Sequence, residues 1–171
     1  LNFILIDTAG IDETFTGKTD TEIRLQTELA IDDSDLIIFV IDARVGVLPV
    51  EKSFAKNLIK LNKKVIVLLN KSEGSSGLIG LSESGSLGFR SVIPFSAEHG
   101  EGLPDLYDEL RNNLNDNHFN YTNEKDHINK EEKDSPVRVG FIGRPNTGKS
   151  TLVNKIIGQN RLVTGSEAGV T

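Results

Sequence analysis

Cysteine is absent from the 171 residues, which excludes disulfide scaffolds, Cys-ligated zinc and thiol catalysis. Only three histidines occur, His99, His118 and His127, and their scatter argues against a His-based metal centre. Aromatic residues are 6% of the chain. Long apolar runs are missing too. Leu36–Ile41 and Val65–Leu69 are among the longest, and both fall far short of a membrane span. The start, Leu1-Asn2-Phe3-Ile4, has neither the basic region nor the cleavage site of a signal peptide. No membrane association is therefore expected, and the cytoplasm is the expected location. Methionine is missing as well, including at position 1, so the chain is expected to be an internal piece of a longer protein. What remains is ordinary for a globular protein: 37% hydrophobic and 26% charged. The net charge of −6 is uneven. From Val137 onward five bases face one acid, a local charge of +4 that leaves −10 on the first 136 residues. An acidic body argues against direct DNA binding, while a basic end suits a phosphate ligand.

Apolar runs alternate with helical periodicity. Phe3–Ile6, Leu36–Asp42, Lys64–Asn70 and Ser91–Ser96 read as strands, and their continuous hydrophobicity predicts burial on both faces. Between them, a helix is predicted over 20–32, with Leu25 and Leu29 one turn apart. A second starts at Pro49 and carries Val50, Phe54, Leu58 and Leu61 on one face. A third starts at Pro104 and carries Leu103, Leu106, Leu110 and Leu114. The Gly/Ser-rich stretch 72–88 gives no helical signal. Residues 116–136, rich in Asn, Asp, Glu and Lys, read as an acidic polar linker. Beyond it come a strand at Val137–Ile142, a helix over 147–157 packing Leu152, Val153, Ile156 and Ile157, and a loop of small residues. This rhythm predicts an α/β fold, a mostly parallel sheet with helices on both faces.

The strongest signal is Gly143-Arg144-Pro145-Asn146-Thr147-Gly148-Lys149-Ser150, followed by Thr151. It is a full G-x-x-x-x-G-K-S between a buried strand and a helix. Glycines there let backbone N–H groups wrap a phosphate chain, and the helix N-terminus adds positive potential. Lys149 would neutralise the β/γ-phosphates and the Ser150 hydroxyl would ligate Mg²⁺. Three further strand ends resemble GTPase motifs. Asn70-Lys71-Ser72-Glu73 resembles N-K-x-D, in which the Asn amide and the acid read guanine and the Lys stem covers it. Asp7-Thr8-Ala9-Gly10 resembles D-x-x-G, whose Asp supports Mg²⁺ and whose Gly amide touches the γ-phosphate. Ser96-Ala97-Glu98 resembles the loop that backs the base. Each alone would be an ordinary polar turn. Together, each at a strand's carboxyl end, they point to GTP and GDP rather than to an ATPase or kinase with a coincidental Asn-Lys.

The order of these motifs is unusual, because the phosphate loop comes last. With Ser-Ala-Glu-His-Gly at 96–100 and Gly-Arg-Pro-Asn-x-Gly-Lys-Ser-Thr-Leu-Val-Asn at 143–154, the chain resembles the Der (EngA) family of bacterial GTPases with two G domains in tandem. The resemblance extends along essentially the whole chain. It implies a P-loop GTPase fold. Residues 1–115 would be the end of the first G domain, 116–136 the linker, and 137–171 the start of the second. It implies that Thr171 is the switch I threonine on Mg²⁺, so that Lys149, Thr171 and Gly10 serve catalysis. Ile11 stands where other GTPases carry a water-orienting glutamine, and such proteins often use K⁺ held by a phosphate-loop asparagine. Asn146 matches that position, or is a turn residue between Pro145 and Gly148. The family also implies assembly of the large ribosomal subunit, with hydrolysis either as the activity itself or as the reset of a nucleotide-dependent binding switch. Finally, the two pieces are expected to close into one domain in circularly permuted order, with 137–142 inserted between 3–6 and 36–42. A linker of some 20 residues spans about 25 Å, enough for that return.

Overall fold

A computed structural model describes residues 3–8, 10–11, 18–74, 77–119 and 136–158. Its elements are β1 (Phe3–Asp7), α1 (Lys18–Asp33), β2 (Leu36–Asp42), α2 (Pro49–Lys60), β3 (Lys64–Asn70), α3 (Gly77–Ser84), β4 (Ser91–Pro94), α4 (Leu103–Phe119), β5 (Val137–Gly143) and α5 (Lys149–Ile157). The strands form one parallel sheet in the order β1-β5-β2-β3-β4. Among the described residues, the last strand therefore sits between the first two, as the permuted closure requires. Phe3 pairs with Val137 on one side of it, and Leu36 with Val139 on the other. Reciprocal bonds pin the inserted strand near its start: Asp35 N–H donates to Arg138 O (2.9 Å), and Arg138 N–H donates to Asp35 Oδ2 (2.7 Å).

Alternation along the strands divides the core in two. Leu36, Ile38 and Val40 face one side with Ile66, Leu68, Val139 and Phe141, under Leu106 and Leu110 of α4 and Leu152 and Val153 of α5. Ile37, Phe39 and Ile41 face the other with Val67, Leu69 and Ile142, under Ile31 of α1 and Ala55 and Leu58 of α2. Adjacent strands β5 and β2 thus send their helices to opposite faces, which opens a crevice at their carboxyl ends.

Several sequence expectations change in the structure. β1 is only half-buried, with Ile4 43% exposed, because it is the edge strand and lacks a second neighbour. On α1 the expected apolar face is wrong: Leu25 and Leu29 are exposed, while Thr27 and Ile31 turn inward. Leu61 caps α2 and is exposed, and Ile157 at the end of α5 is 39% exposed. A helix, α3, does form within 72–88. It buries Gly77, Gly80 and Ser84 and leaves Leu78, Ile79 and Leu81 outside. Its inner face is small because Gly80 lies directly on Ala43, whose carbonyl accepts the Gly80 N–H (3.1 Å). α4 runs to Phe119, three residues beyond the start of the expected linker, β4 stops at Pro94, and α5 begins at Lys149. Residues 120–135 and 159–171 lie outside the described residues.

The two kinds of leucine should respond differently to truncation. Leu110→Ala, at a fully buried position, is expected to cost about 2–5 kcal/mol. Leu29→Ala should stay within about 0.5 kcal/mol. Urea unfolding of the two variants checks both values.

Candidate functional site

Every described motif stands at the carboxyl end of the sheet. The phosphate loop leaves β5 at Gly143 and enters α5 at Gly148, whose φ of +93° only glycine adopts readily. A Cβ at Gly148 would also collide with the Asn70 side chain. Lys149 is buried. Its Nζ donates to the carbonyls of Gly143 (3.1 Å) and Arg144 (2.9 Å), so the ammonium is folded back into its own loop. Burial lowers its pKa to about 8, against a smaller upward pull from Asp7.

Asp7 ends β1 beside the phosphate loop. Ser150 Oγ donates to its Oδ2 at 3.4 Å, and its Oδ1 accepts the Thr8 N–H (3.0 Å). Burial raises the Asp7 carboxyl, while Lys149, the Thr8 N–H and the Ser150 hydroxyl oppose that rise. A desolvated carboxylate next to a hydroxyl offers hard oxygen donors, the ligand type of a divalent cation such as Mg²⁺. The residues present fit such a cation. Thr8 Oγ1 donates to Phe141 O (2.7 Å), and Ile11 N–H to Gly143 O (3.0 Å), so the Asp7–Ile11 turn is stitched to β5. Gly10 lies flat against Pro145, with no room for a Cβ. Ile11 packs its side chain on the core and presents no polar group.

Asn70 is 2% exposed and joins three segments. Its Nδ2 donates to Thr147 O in the phosphate loop (2.7 Å), and its Oδ1 accepts the Ala97 N–H (2.8 Å). Lys71 takes a left-handed φ of +64° and donates from Nζ to Asn146 O (2.6 Å) and to Asp42 Oδ2 (2.8 Å). Asn146 is likewise left-handed (φ +61°) and exposed. Ser72 N–H donates to Phe95 O (3.0 Å), and its hydroxyl to Leu69 O. The Glu73 carboxyl is held below its usual range by its own backbone N–H, against some burial, and by the Ser96 hydroxyl and nearby cations. Ser96 Oγ also accepts the His99 N–H (3.3 Å).

Residues 143 positions apart, Asp7 and Ser150, are thereby drawn into one crevice. So are Asn70, Lys71, Ser96 and Ala97 with Arg144, Pro145, Asn146 and Thr147. Thr151 follows Ser150 in the first turn of α5. Ala9 and Thr171 lie outside the described residues. One participant escaped sequence reasoning. Asp42 lies level with Asn70 in the β2–β3 register, and Arg44 grips its carboxylate. The available signal was an acid at the end of a wholly apolar strand. Among the described residues, no helix is long and apolar enough to cross a membrane, and no three-residue His/Asp/Glu cluster forms.

Comparison with known proteins identifies relatives of the chain. The chain is 45% identical to GTPase Der of Rhodopseudomonas palustris over 173 residues and 43% identical to GTPase Der of Parvibaculum lavamentivorans over 188. Each match takes in all of this chain but only 38% and 40% of the relative, so the chain spans about two fifths of the curated relatives' length. A crystal structure of a probable GTP-binding protein, engB, shares the fold at a TM-score of 0.51 and 15% identity, covering 63% of this chain and 73% of that one. The family described as 50S ribosome-binding GTPase matches residues 1–71 and 138–171, the same two stretches whose strands interleave in the sheet. On that match the chain belongs to the 50S ribosome-binding GTPase family, and along its whole length it is similar to GTPase Der.

Proposed function

We propose that this chain binds GTP and GDP at one site assembled from both of its halves. The observation that carries the reading is Asn70, whose single amide holds Thr147 of the phosphate loop and Ala97 behind the base position together. In this reading Gly143–Thr151 wrap the phosphates, and Lys149 turns from its own carbonyls to the β/γ-phosphate oxygens. Asn70, Glu73 and Ala97 read the guanine edge, and the Lys71 stem covers its face. Asp7 and Ser150 would hold Mg²⁺, joined by Thr171, and exposed Asn146 would offer an oxygen to K⁺. The divalent ion, when bound, supplies charge neutralisation on the phosphates. The chain's own contribution is to position the phosphates and exclude water from the crevice.

In the longer protein, the reading extends to a Der-type GTPase that hydrolyses GTP to GDP and phosphate. There 1–115 would be the end of one G domain, 116–136 a linker, and 137–171 the start of the next. Its partner would be the large ribosomal subunit and its place the cytoplasm. Ile11 favours slow intrinsic turnover, since an aliphatic side chain cannot orient water. That supports a nucleotide-dependent binding switch in which hydrolysis is the reset.

Titration with fluorescent GDP and ADP, in K⁺ and Mg²⁺, tests the site. Selective GDP binding that is lost in both Lys149→Ala and Asn70→Ala is the expected result. GDP binding indifferent to Asn70, or a preference for ADP, would sink the single-site reading.

A further inference from the structure

We propose that Asp42, backed by Arg44, is a positioning residue that holds the Lys71 ammonium across the phosphate-loop turn at the base end of the site. This inference rests on the guanine-nucleotide reading above. Lys71 leaves β3 in a left-handed conformation, which a non-glycine residue holds only when its surroundings over-determine it. Two contacts do so. Nζ donates to Asn146 O at 2.6 Å and to Asp42 Oδ2 at 2.8 Å. Asn146 is the other left-handed non-glycine residue of this end, so a single ammonium ties two strained turns to the tip of β2.

Asp42 is built as a fixed node. Oδ1 accepts Arg44 N–H and Nε–H (both 3.1 Å), and Oδ2 accepts Arg44 Nη2–H (2.9 Å) as well as the Lys71 ammonium. Burial alone would raise the Asp42 carboxyl, but the Arg44 and Lys71 hydrogen bonds outweigh it and hold the group below the usual carboxylate range. The Asp42 side chain is 12% exposed, while Arg44 closes over it from outside at 51%. With four donors engaged, this carboxylate has little capacity left for a ligand. Its effect must pass through Lys71, which has two of its three protons committed and its stem laid along the rim where the reading places the purine.

A double-substitution cycle on this chain, read as fluorescent-GDP affinity and release rate, tests the assignment. Asp42→Asn removes the charge, and Lys71→Met keeps the stem but removes the ammonium. Each should weaken GDP about tenfold, chiefly through faster release, as expected for loss of a charge-assisted hydrogen bond. The double variant should be no weaker than about twofold below the poorer single one. Losses that multiply toward a hundredfold, or a Lys71→Met chain that binds like the parent, would overturn the role of Asp42. Thermal melting checks that each variant is folded. Should Asp42→Asn melt below the assay temperature, Asp42→Glu takes its place in the cycle, with a smaller loss that again must not add to that of Lys71→Met. If the unsubstituted chain ignores GDP, the guanine-nucleotide reading fails and this inference falls with it. GDP binding with multiplicative losses removes only Asp42.

Discussion

Asn70→Ala is expected to lower the stability of the chain by about 2–4 kcal/mol and to abolish measurable GDP binding. The two effects share one cause. Truncation strands the Thr147 carbonyl and the Ala97 N–H, both partnered by Asn70 in a buried setting. Each buried group left without a partner costs about 1–3 kcal/mol. The loss also frees the phosphate loop from the loop behind the base, so the halves of the site no longer share a frame. Urea unfolding and a GDP titration on the same sample give both numbers. A stability loss under about 0.5 kcal/mol would show that Asn70 does not hold the loops together.

Lys149→Met should do the opposite to stability while also eliminating nucleotide binding. A buried ammonium with only backbone carbonyls as partners is costly to fold, which is why its pKa falls from an ordinary 10.5 to about 8. Below pH 8 both folded and unfolded chains carry the proton, and the full penalty applies. Between about pH 8 and 10.5 only the unfolded chain binds it, so the stability of the parent rises with pH across that window. The penalty is on the order of 3 kcal/mol. Methionine removes it but leaves the Gly143 and Arg144 carbonyls without their donor, so the net gain at pH 7 should be about 1–2 kcal/mol. The parent-minus-variant difference in urea stability, followed from pH 7 to 10.5, should reverse sign, because the parent gains about 3 kcal/mol across the window and starts only about 1–2 kcal/mol behind. GDP affinity of the parent should fall above pH 8, with proton uptake on binding at pH 8.5, because a bound phosphate chain restores the charged ammonium. A variant that is less stable than the parent at pH 7 would contradict the cost assigned to Lys149.

How far the sequence revealed the molecule depends on which physics was at stake. Leu36–Asp42 and Lys64–Asn70 were legible as central strands because only a strand buried on both faces is apolar through its whole interior, here Leu36–Ile41 and Val65–Leu69. The phosphate loop was legible because its glycines and lysine follow such a strand. The insertion of β5 followed from motif order alone. Helix faces were harder. Leu25 and Leu29 lie one turn apart as a helix requires, yet α1 turns Thr27 and Ile31 inward. Ile31 joins the cluster that holds Ile142, and Ala30 and Ser34, at the end of the helix, lie close against Gly140 of β5. α3 was invisible because a helix lying directly on Ala43 must present glycine and serine inward, inverting the apolar pattern. The Asp42–Lys71 pair spans 29 residues with no periodic spacing, so only the strand register brings its members level. Ala9 and Thr171 fall outside the described residues, and their roles rest on the resemblance.

The position of β5 also sets a timetable. When this chain is made by itself, β1 and β2 leave the ribosome with a strand-wide gap between them, and the strand that fills it follows only after β3 and β4. At about 5–20 residues per second, the hundred or so residues separating β2 from β5 take roughly 5–20 s to appear. For that interval the apolar edges of β1 and β2 stay unpaired and open to wrong neighbours, and sheet closure waits on a contact made across more than 130 positions. A nascent chain stalled short of Val137 would therefore need shielding that one extended past Gly143 does not.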